Sequence, residues 1–149
     1  MSFFNACREG NIKKAKKIFD RGNININIHD GNECVFHLAC ENGHLHIAKW
    51  LIEISREKNL GDIDIHADNE YAFRWACENG HLHITKWLIK ISEENKLGNI
   101  DIHASNEDAF CSTCRNGHLE VAKWLLEISV EKKLGDIDIH AKDEYAFRW

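Results

Sequence analysis

The sequence contains no proline, a single methionine and only 9 glycines in 149 residues. A chain of this composition has no proline-rich or flexible linker that would separate two domains. No stretch approaches 18 consecutive apolar residues, so the sequence predicts no membrane-spanning helix. The amino-terminal segment also lacks the apolar run of a secretory signal. We therefore expect one domain, located in the cytoplasm, with no membrane partner.

A large excess of basic charge is missing as well. The formal net charge is −5, which argues against nucleic acid as a partner because nucleic-acid binders concentrate basic charge on one face. The small basic cluster of Lys13, Lys14, Lys16 and Lys17 is typical of a solvated helix face. Six cysteines without a secretory signal indicate free thiols in a reducing compartment.

What the sequence does contain is a repeat of 37 residues. Three residue types recur at this interval, at His29, His66, His103 and His140, at Phe36, Phe73, Phe110 and Phe147, and at Trp50, Trp87 and Trp124. Segments 29–65 and 66–102 are identical at 25 of 37 positions. A fixed period of this length marks a stacked-repeat architecture. Such a solenoid presents an extended surface and rarely carries a catalytic centre, so we predict a protein that is not an enzyme.

One unit, residues 66–102, predicts two helices and an extended connector. Asn79-Gly80 favours a tight turn after a first helix that carries a small-residue face. The following apolar residues have the spacing i, i+3, i+4, i+7, which predicts an amphipathic second helix over residues 81–95. The strict alternation over residues 99–102 predicts a connector whose isoleucines lie beneath the stack. The predicted fold class is therefore an all-α solenoid of stacked helix-turn-helix units joined by short extended loops.

Several residues could have a chemical role, and each of them also has a simpler structural explanation. Cys111, Cys114 and His118 lie near one helical face, but zinc needs three or four ligands and no second Cys-x-x-Cys is present. We interpret these cysteines as small core residues and predict neither a metal nor any other cofactor. The repeated Trp50, Trp87 and Trp124 are predicted to be core residues.

The histidines and the paired acids have structural interpretations too. The His44-x-His46 pair is two residues apart and is expected to point to different sides of a helix. The histidines that recur every 37 residues are interpreted as turn-fixing residues. Asp62 and Asp64 alternate with isoleucine, so they are expected to face solvent from an extended loop rather than to form a catalytic pair.

The unit resembles the ankyrin repeat. Segments 39–45, 76–82 and 114–119 are similar to the A-A-x-x-G-H-L core of that family. Lys-Trp-Leu follows each of them where the family has its K-L-L-L stretch, and segment 64–67 resembles its D-V-N-A stretch. The Asn-Gly-His-Leu and Lys-Trp-Leu motifs also resemble those of ankyrin proteins of large DNA viruses that infect amoebae. The family resemblance implies recognition of a protein partner through a concave surface of first helices and finger loops.

The departures from the family pattern concern loop lengths. The family's T-P-L-H segment has lost its proline in every unit, and its histidine survives only at His37. Three residues, 68–70, stand where the family pattern has six. Seven residues are gained between the leucines of the second helix and the isoleucine of the connector, so the usual period of 33 residues becomes 37. We expect shortened finger loops and either an elongated second helix or an elongated back loop.

These motifs divide the chain into one array. We predict an N-terminal capping repeat over residues 1–28, full repeats over 29–65, 66–102 and 103–139, and an incomplete repeat over 140–149. A polar outer face suits a terminal repeat, and Lys17 stands where later units have tryptophan. The last segment stops inside its first helix, which leaves stacking on another chain as an alternative role and a weak homo-oligomer as its consequence.

The partner-binding candidates are residues that vary between otherwise similar units, on the first-helix side. The candidates are Asp68, Tyr71, Arg74, Trp75, Asp108 and Arg115. The simpler interpretation is that such positions vary because they are merely exposed. For Trp75 the pattern favours a core position, with a partly exposed binding aromatic as the alternative.

Overall fold

The computed structural model describes residues 2–22 and 26–141. Within these residues the chain forms eight α-helices and no β-strand. The helices are α1 (Phe3–Arg8), α2 (Ile12–Asp20), α3 (Asp30–Glu41), α4 (Leu45–Glu57), α5 (Ala67–Glu78), α6 (Leu82–Glu94), α7 (Ala104–Arg115) and α8 (Leu119–Glu131). The predicted all-α fold is confirmed, and the second helix predicted over residues 81–95 is α6.

Each unit is a helix, a tight turn and a second helix. At the turn after α5, Gly80 has φ +73, and the amide of His81 donates to the carbonyl of Ala76 at 2.8 Å. This pairing closes the first helix and lets the second begin within two residues. The same turn recurs after α1, α3 and α7, where Gly10, Gly43 and Gly117 also have positive φ.

The helices form two layers. The first helices α1, α3, α5 and α7 pack side by side, whereas each second helix packs chiefly against the first helix of its own unit. Because the first helices approach one another more closely than the second helices do, the array curves toward the first-helix side. This curvature makes the first-helix side the concave surface.

The core runs between the two layers and repeats with the sequence. Phe36 and Phe73 are fully buried, and burial of each such ring contributes about 1.5–3 kcal/mol. The alternating connectors bury their isoleucines as predicted, with Ile100 and Ile102 almost inaccessible. Asp62 and the other acidic residues of the connectors are exposed, in agreement with the sequence.

The repeated tryptophans are only partly core residues. Trp50 is buried among Phe3 and Phe19, at ring-centroid distances of 6.0 and 5.9 Å. Trp87 and Trp124 are half-buried, so their prediction as core residues was too strong. Trp87 lines an open groove of about 260 Å³ between α4 and α6, which exists because the second helices diverge.

Compared with the first unit, the later units have a longer second helix. Helix α2 has 9 residues, and α4, α6 and α8 have 13 each. From Gly10 to His29 the chain advances by 19 residues, and from Gly43 to His66 by 23. Both differences are 4, so the longer second helix accounts for the difference between the first unit and the later ones.

The finger loop is reduced to three left-handed residues. In α5 these are Asp68, Asn69 and Glu70, with φ between +53 and +61, and the equivalent residues of α3 and α7 repeat the conformation. Left-handed backbone costs an L-residue about 1–2 kcal/mol, so the turn needs compensation. Glu70 provides it, because its carboxylate accepts from His66 Nδ1 at 2.8 Å and from the amide of Asp101, in the connector that leads into the next unit, at 3.1 Å.

The recurrent histidines therefore fix the finger turns, as the sequence indicated. We call each histidine and its partner four residues later a His–Glu staple, and the pairs are His29–Glu33, His66–Glu70 and His103–Glu107. Each glutamate is buried, and each also accepts the amide of an aspartate in the connector at the end of its own unit. The staple thus links the finger turn of a unit to the connector that leads into the next unit.

The histidines after the tight turns join neighbouring units as well. His44 Nε2 donates to the carbonyl of Arg8 at 3.0 Å, and His46 Nε2 donates to the carbonyl of Gly10 at 2.8 Å. The expectation that this pair points to different sides was wrong, since the rings lie 5.9 Å apart and reach the same turn. The reason is that His44 precedes the helix as its N-cap, so helical spacing does not govern its direction.

Candidate functional site

All six predicted partner-binding residues lie on the concave side of the array. Asp68, Tyr71, Arg74 and Trp75 belong to α5, whereas Asp108 and Arg115 belong to α7. Helices α5 and α7 pack directly against each other, so the six residues share one surface. We call this surface, together with the adjoining residues His37 and Glu41 of α3, the inner face.

Three stacked rings form the centre of the inner face. Tyr71 stacks on His37 with centroids 4.7 Å apart and on Trp75 with centroids 5.3 Å apart. His37 is buried, whereas Tyr71 and Trp75 are half-buried. Trp75 is therefore neither a full core residue nor a fully exposed one, and the stack holds its ring in a defined orientation.

The guanidinium of Arg74 is committed to contacts within the chain. Its Nη1 lies 2.8 Å from Asp108 Oδ2 in the next unit, and its Nε donates to the carbonyl of Asn69 at 2.8 Å. Its Nη2 donates to the carbonyl of Asp68 at 3.3 Å. Arg74 thus joins two units and covers the strained finger turn, so its proposed binding role competes with a structural one.

A second ion pair closes the other edge of the inner face. Arg115 Nη2 lies 3.1 Å from Glu78 Oε1, and Asn116 Nδ2 donates to the carbonyl of Glu78 at 2.9 Å. Asp68 accepts from Asn32 Nδ2 in the preceding unit and lies 4.0 Å from His37 Nδ1. Burial lowers the pKa of His37, which keeps its imidazole neutral at pH 7.

Glu41 differs from these acidic residues. It is half-buried on α3, and burial together with the charge of Glu78 raises its pKa. The part of the chain that the structure describes offers its carboxylate no ion pair and no side-chain hydrogen bond. Burial, followed by the charge of Glu41, raises the pKa of Tyr71, which shows that the two side chains are electrostatically coupled.

Sequence reasoning missed His37 and Glu41 as members of this surface. His37 is the counterpart of Arg74 and Glu41 that of Glu78, each 37 residues apart. The signal that could have found them is this register, because equivalent positions of packed first helices line the same side. They were passed over since neither residue is conspicuous within its own unit.

The cysteine and histidine positions give no sign of a metal centre. Among residues 2–22 and 26–141, no three metal-binding side chains converge on one point. Cys111 is buried with its Sγ 3.8 Å from the carbonyl of Ala141, and Cys114 is half-buried. Burial raises the pKa of Cys7 to about 12, so this thiol is protonated at neutral pH and is a poor nucleophile.

None of the helices formed by the described residues has the length and apolar character needed to cross a membrane. The incomplete repeat predicted over residues 140–149 lies almost wholly outside the described residues, including Trp149. The same holds for residues 1 and 23–25 of the predicted capping repeat.

Comparison with known proteins supports the architecture. Residues 3–96 and 55–143 match the family model described as ankyrin repeats in three copies. The solved structure of an ankyrin repeat family protein from Legionella pneumophila is similar, with 32% sequence identity and a TM-score of 0.69. The match covers 84% of this chain and 35% of that one, so the chain spans about a third of that protein's length. No curated protein matches the chain.

Proposed function

The chain belongs to the ankyrin-repeat family, and from this premise we propose that it binds a protein partner through the inner face, without catalysing a reaction. Ankyrin repeats are generally protein–protein interaction modules. The resemblance to ankyrin proteins of amoeba-infecting viruses favours a host or viral protein in the cytoplasm as the partner. The proposed contact residues are the six predicted ones, Asp68, Tyr71, Arg74, Trp75, Asp108 and Arg115.

The observation that carries the proposal is the concentration of variable residues on one side of a uniform framework. The buried positions of the units are nearly constant, as Phe36 and Phe73 or Cys40 and Cys77 illustrate. The inner face instead changes from unit to unit and presents half-buried aromatic rings. Aromatic residues of this kind contribute most of the binding energy in protein interfaces.

Affinity purification from the native cell tests the proposal. We compare the wild-type chain with a Tyr71→Ala/Trp75→Leu variant, in which leucine is the residue that the preceding unit has at position 38. Lys86→Ala, an exposed residue of the second helix α6, is the matched control. We expect a specific partner to be lost only with the inner-face variant, whereas equal recovery with all three chains would place the site elsewhere.

A second candidate function is self-association through the last described helix. Helix α8 exposes Leu119 and Val130 to 60% and 74%, whereas Leu45 and Leu82, the counterparts of Leu119, are half-buried. Val130 also stands where the earlier units carry Arg56 and Glu93. An apolar residue in place of a charged one suits a surface that meets another repeat.

Light scattering at high protein concentration tests this second role. We expect a mass that rises with concentration in the wild-type chain and remains that of a monomer after Val130→Glu. A monomer at every concentration of the wild-type chain would remove the self-association hypothesis and leave the inner-face proposal unaffected.

A further inference from the structure

The inner face holds a carboxylate beside two parallel aromatic rings. Tyr71 and Trp75 stack with their planes 25° apart, and both rings are half-exposed. Glu41 lies on the neighbouring helix α3, one turn after His37. Because His37 stacks on Tyr71, and Trp75 lies one turn after Tyr71, this register places Glu41 beside Trp75. An aromatic ring face and a carboxylate are both attractive to a cation.

The other charges of the inner face are already engaged. Glu78 pairs with Arg115 at 3.1 Å, and Asp108 pairs with Arg74 at 2.8 Å. Glu41 has no such partner among the described residues, although a half-buried carboxylate is more stable with a counter-ion than without one. Asp68 is exposed and accepts from the Asn32 amide. Among the half-buried acidic side chains of the inner face, Glu78 and Asp108 therefore have a cation from the described residues, and Glu41 has none.

Among residues 2–22 and 26–141, the basic side chains of the inner face are either neutral or already paired. His37, which stacks on the far side of Tyr71, is buried and neutral at pH 7, and its Nε2 has no hydrogen-bond partner among the described residues. Arg74 and Arg115 are both held in ion pairs. The electrostatic character that remains at the stack is acidic.

We propose that Glu41 and Trp75, whose ring is held in place by Tyr71, form a subsite for an arginine side chain of the protein partner. The inference rests on the proposed function and specifies its chemistry. A planar guanidinium stacks on an aromatic face and donates two hydrogen bonds to one carboxylate, which the compact ammonium group of lysine does not reproduce. Charge complementarity thus favours a basic segment of the partner at the centre of the inner face.

The subsite can be tested without knowing the partner. The probe is the capped tripeptide acetyl-Gly-Arg-Gly-amide, and the readout is the indole N–H signal of Trp75 in a ¹H–¹⁵N spectrum, assigned by its absence from Trp75→Leu. The neutral peptide acetyl-Gly-Gln-Gly-amide and the lysine peptide are compared under identical salt. We expect the arginine peptide to shift the Trp75 signal saturably, the lysine peptide to act more weakly and the glutamine peptide to leave it unchanged.

Glu41→Gln is expected to weaken the arginine peptide about five-fold, since it removes the ion pair and keeps the shape. Glu53→Gln removes the same charge from the exposed surface of α4 and is expected to leave the affinity unchanged. Equal shifts with the arginine and glutamine peptides, no shift with either, or full affinity in Glu41→Gln would overturn the subsite. Partner capture that still depends on Tyr71 and Trp75 would show in that case that the proposed function stands without it.

Discussion

At the scale of single residues, neighbouring units meet through glycine and histidine at the tight turns. A Cβ atom added to Gly80 would lie 2.5 Å from His118 Nδ1 of the next unit, whereas a Cβ added to Gly117 meets nothing within 4 Å. Both glycines have nearly the same positive φ, +73 and +74. Alanine substitutions at Gly80 and Gly117 therefore separate the free-energy cost of the left-handed backbone from the cost of a lost contact between units.

We expect Gly80→Ala to destabilise the protein clearly more than Gly117→Ala. Left-handed backbone costs alanine about 1–2 kcal/mol at either position, and only Gly80→Ala also displaces His118. The measurement is the free energy of unfolding from urea titrations of both variants. Equal losses in the two variants would contradict the contact between Gly80 and His118.

His103 makes stability depend on pH. Burial opposes its protonation, but the hydrogen bond and charge of Glu107 and the carbonyl of Leu134 outweigh it and raise the pKa of His103 above its ordinary 6.5. Nδ1 lies 2.7 Å from the Glu107 carboxylate and Nε2 lies 3.1 Å from the Leu134 carbonyl. Since both partners accept, both ring nitrogens donate only in the imidazolium form.

The sign of the pH effect follows from a pKa that is higher in the folded than in the unfolded chain. The stabilisation from His103 is fully present below pH 6.5 and is lost as the pH rises through the folded-state pKa. In Glu107→Gln we expect a lower pKa of His103 in NMR titration, and a loss of stability that is larger at pH 5.5 than at pH 8. A loss that does not change with pH would show that the staple acts without charge.

At the scale of elements, the connectors as well as the helices bury apolar side chains in the stack. Ile102 and Ile139 occupy equivalent positions 37 residues apart, yet Ile102 is 1% exposed and Ile139 is 40% exposed. We expect Ile102→Ala to lower the free energy of unfolding by about 2–5 kcal/mol, and Ile139→Ala by less than half as much. Thermal and urea unfolding of the two variants measure this difference, and similar losses would mean that the connector isoleucines do not support the stack.

The same elements show what a sequence can and cannot predict. Helix α6 and the buried connector isoleucines were predictable, because apolar spacing of 3.6 and 2 residues is written locally in the chain. The left-handed finger turn was not, since glutamate has no local preference for φ +61. Glu70 is held there by the amide of Asp101, 31 residues away in the connector that leads into the next unit.

The inner face was predictable in outline for the same reason. Variation between units placed the six candidate residues on the first helices. The structure joins Arg74 to Asp108 and Tyr71 to Trp75, and it pairs Arg115 with Glu78. Their pairing was not predictable, because Arg74–Asp108 and His37–Tyr71 join residues 34 positions apart along the chain. That Glu41 has no cationic partner among the described residues can be recognised only once those pairs have been identified.

At the scale of the whole molecule, the contacts that repeat in every unit and the residues that vary between units lie on different surfaces. The tight turns, connectors and His–Glu staples hold successive units together, and the staples are nearly identical along the array. The inner face carries the variation on a support that the staples hold in register. A partner that docks there covers first helices from several units at once, which a single helix pair could not offer.

Hydrogen exchange of the chain with and without its captured partner measures where docking occurs. We predict slower exchange in the complex over the first helices α3, α5 and α7, including their finger turns. We predict little change in the second helices α4, α6 and α8. Protection confined to the second helices, or to the exposed surface of α8, would contradict binding through the concave side.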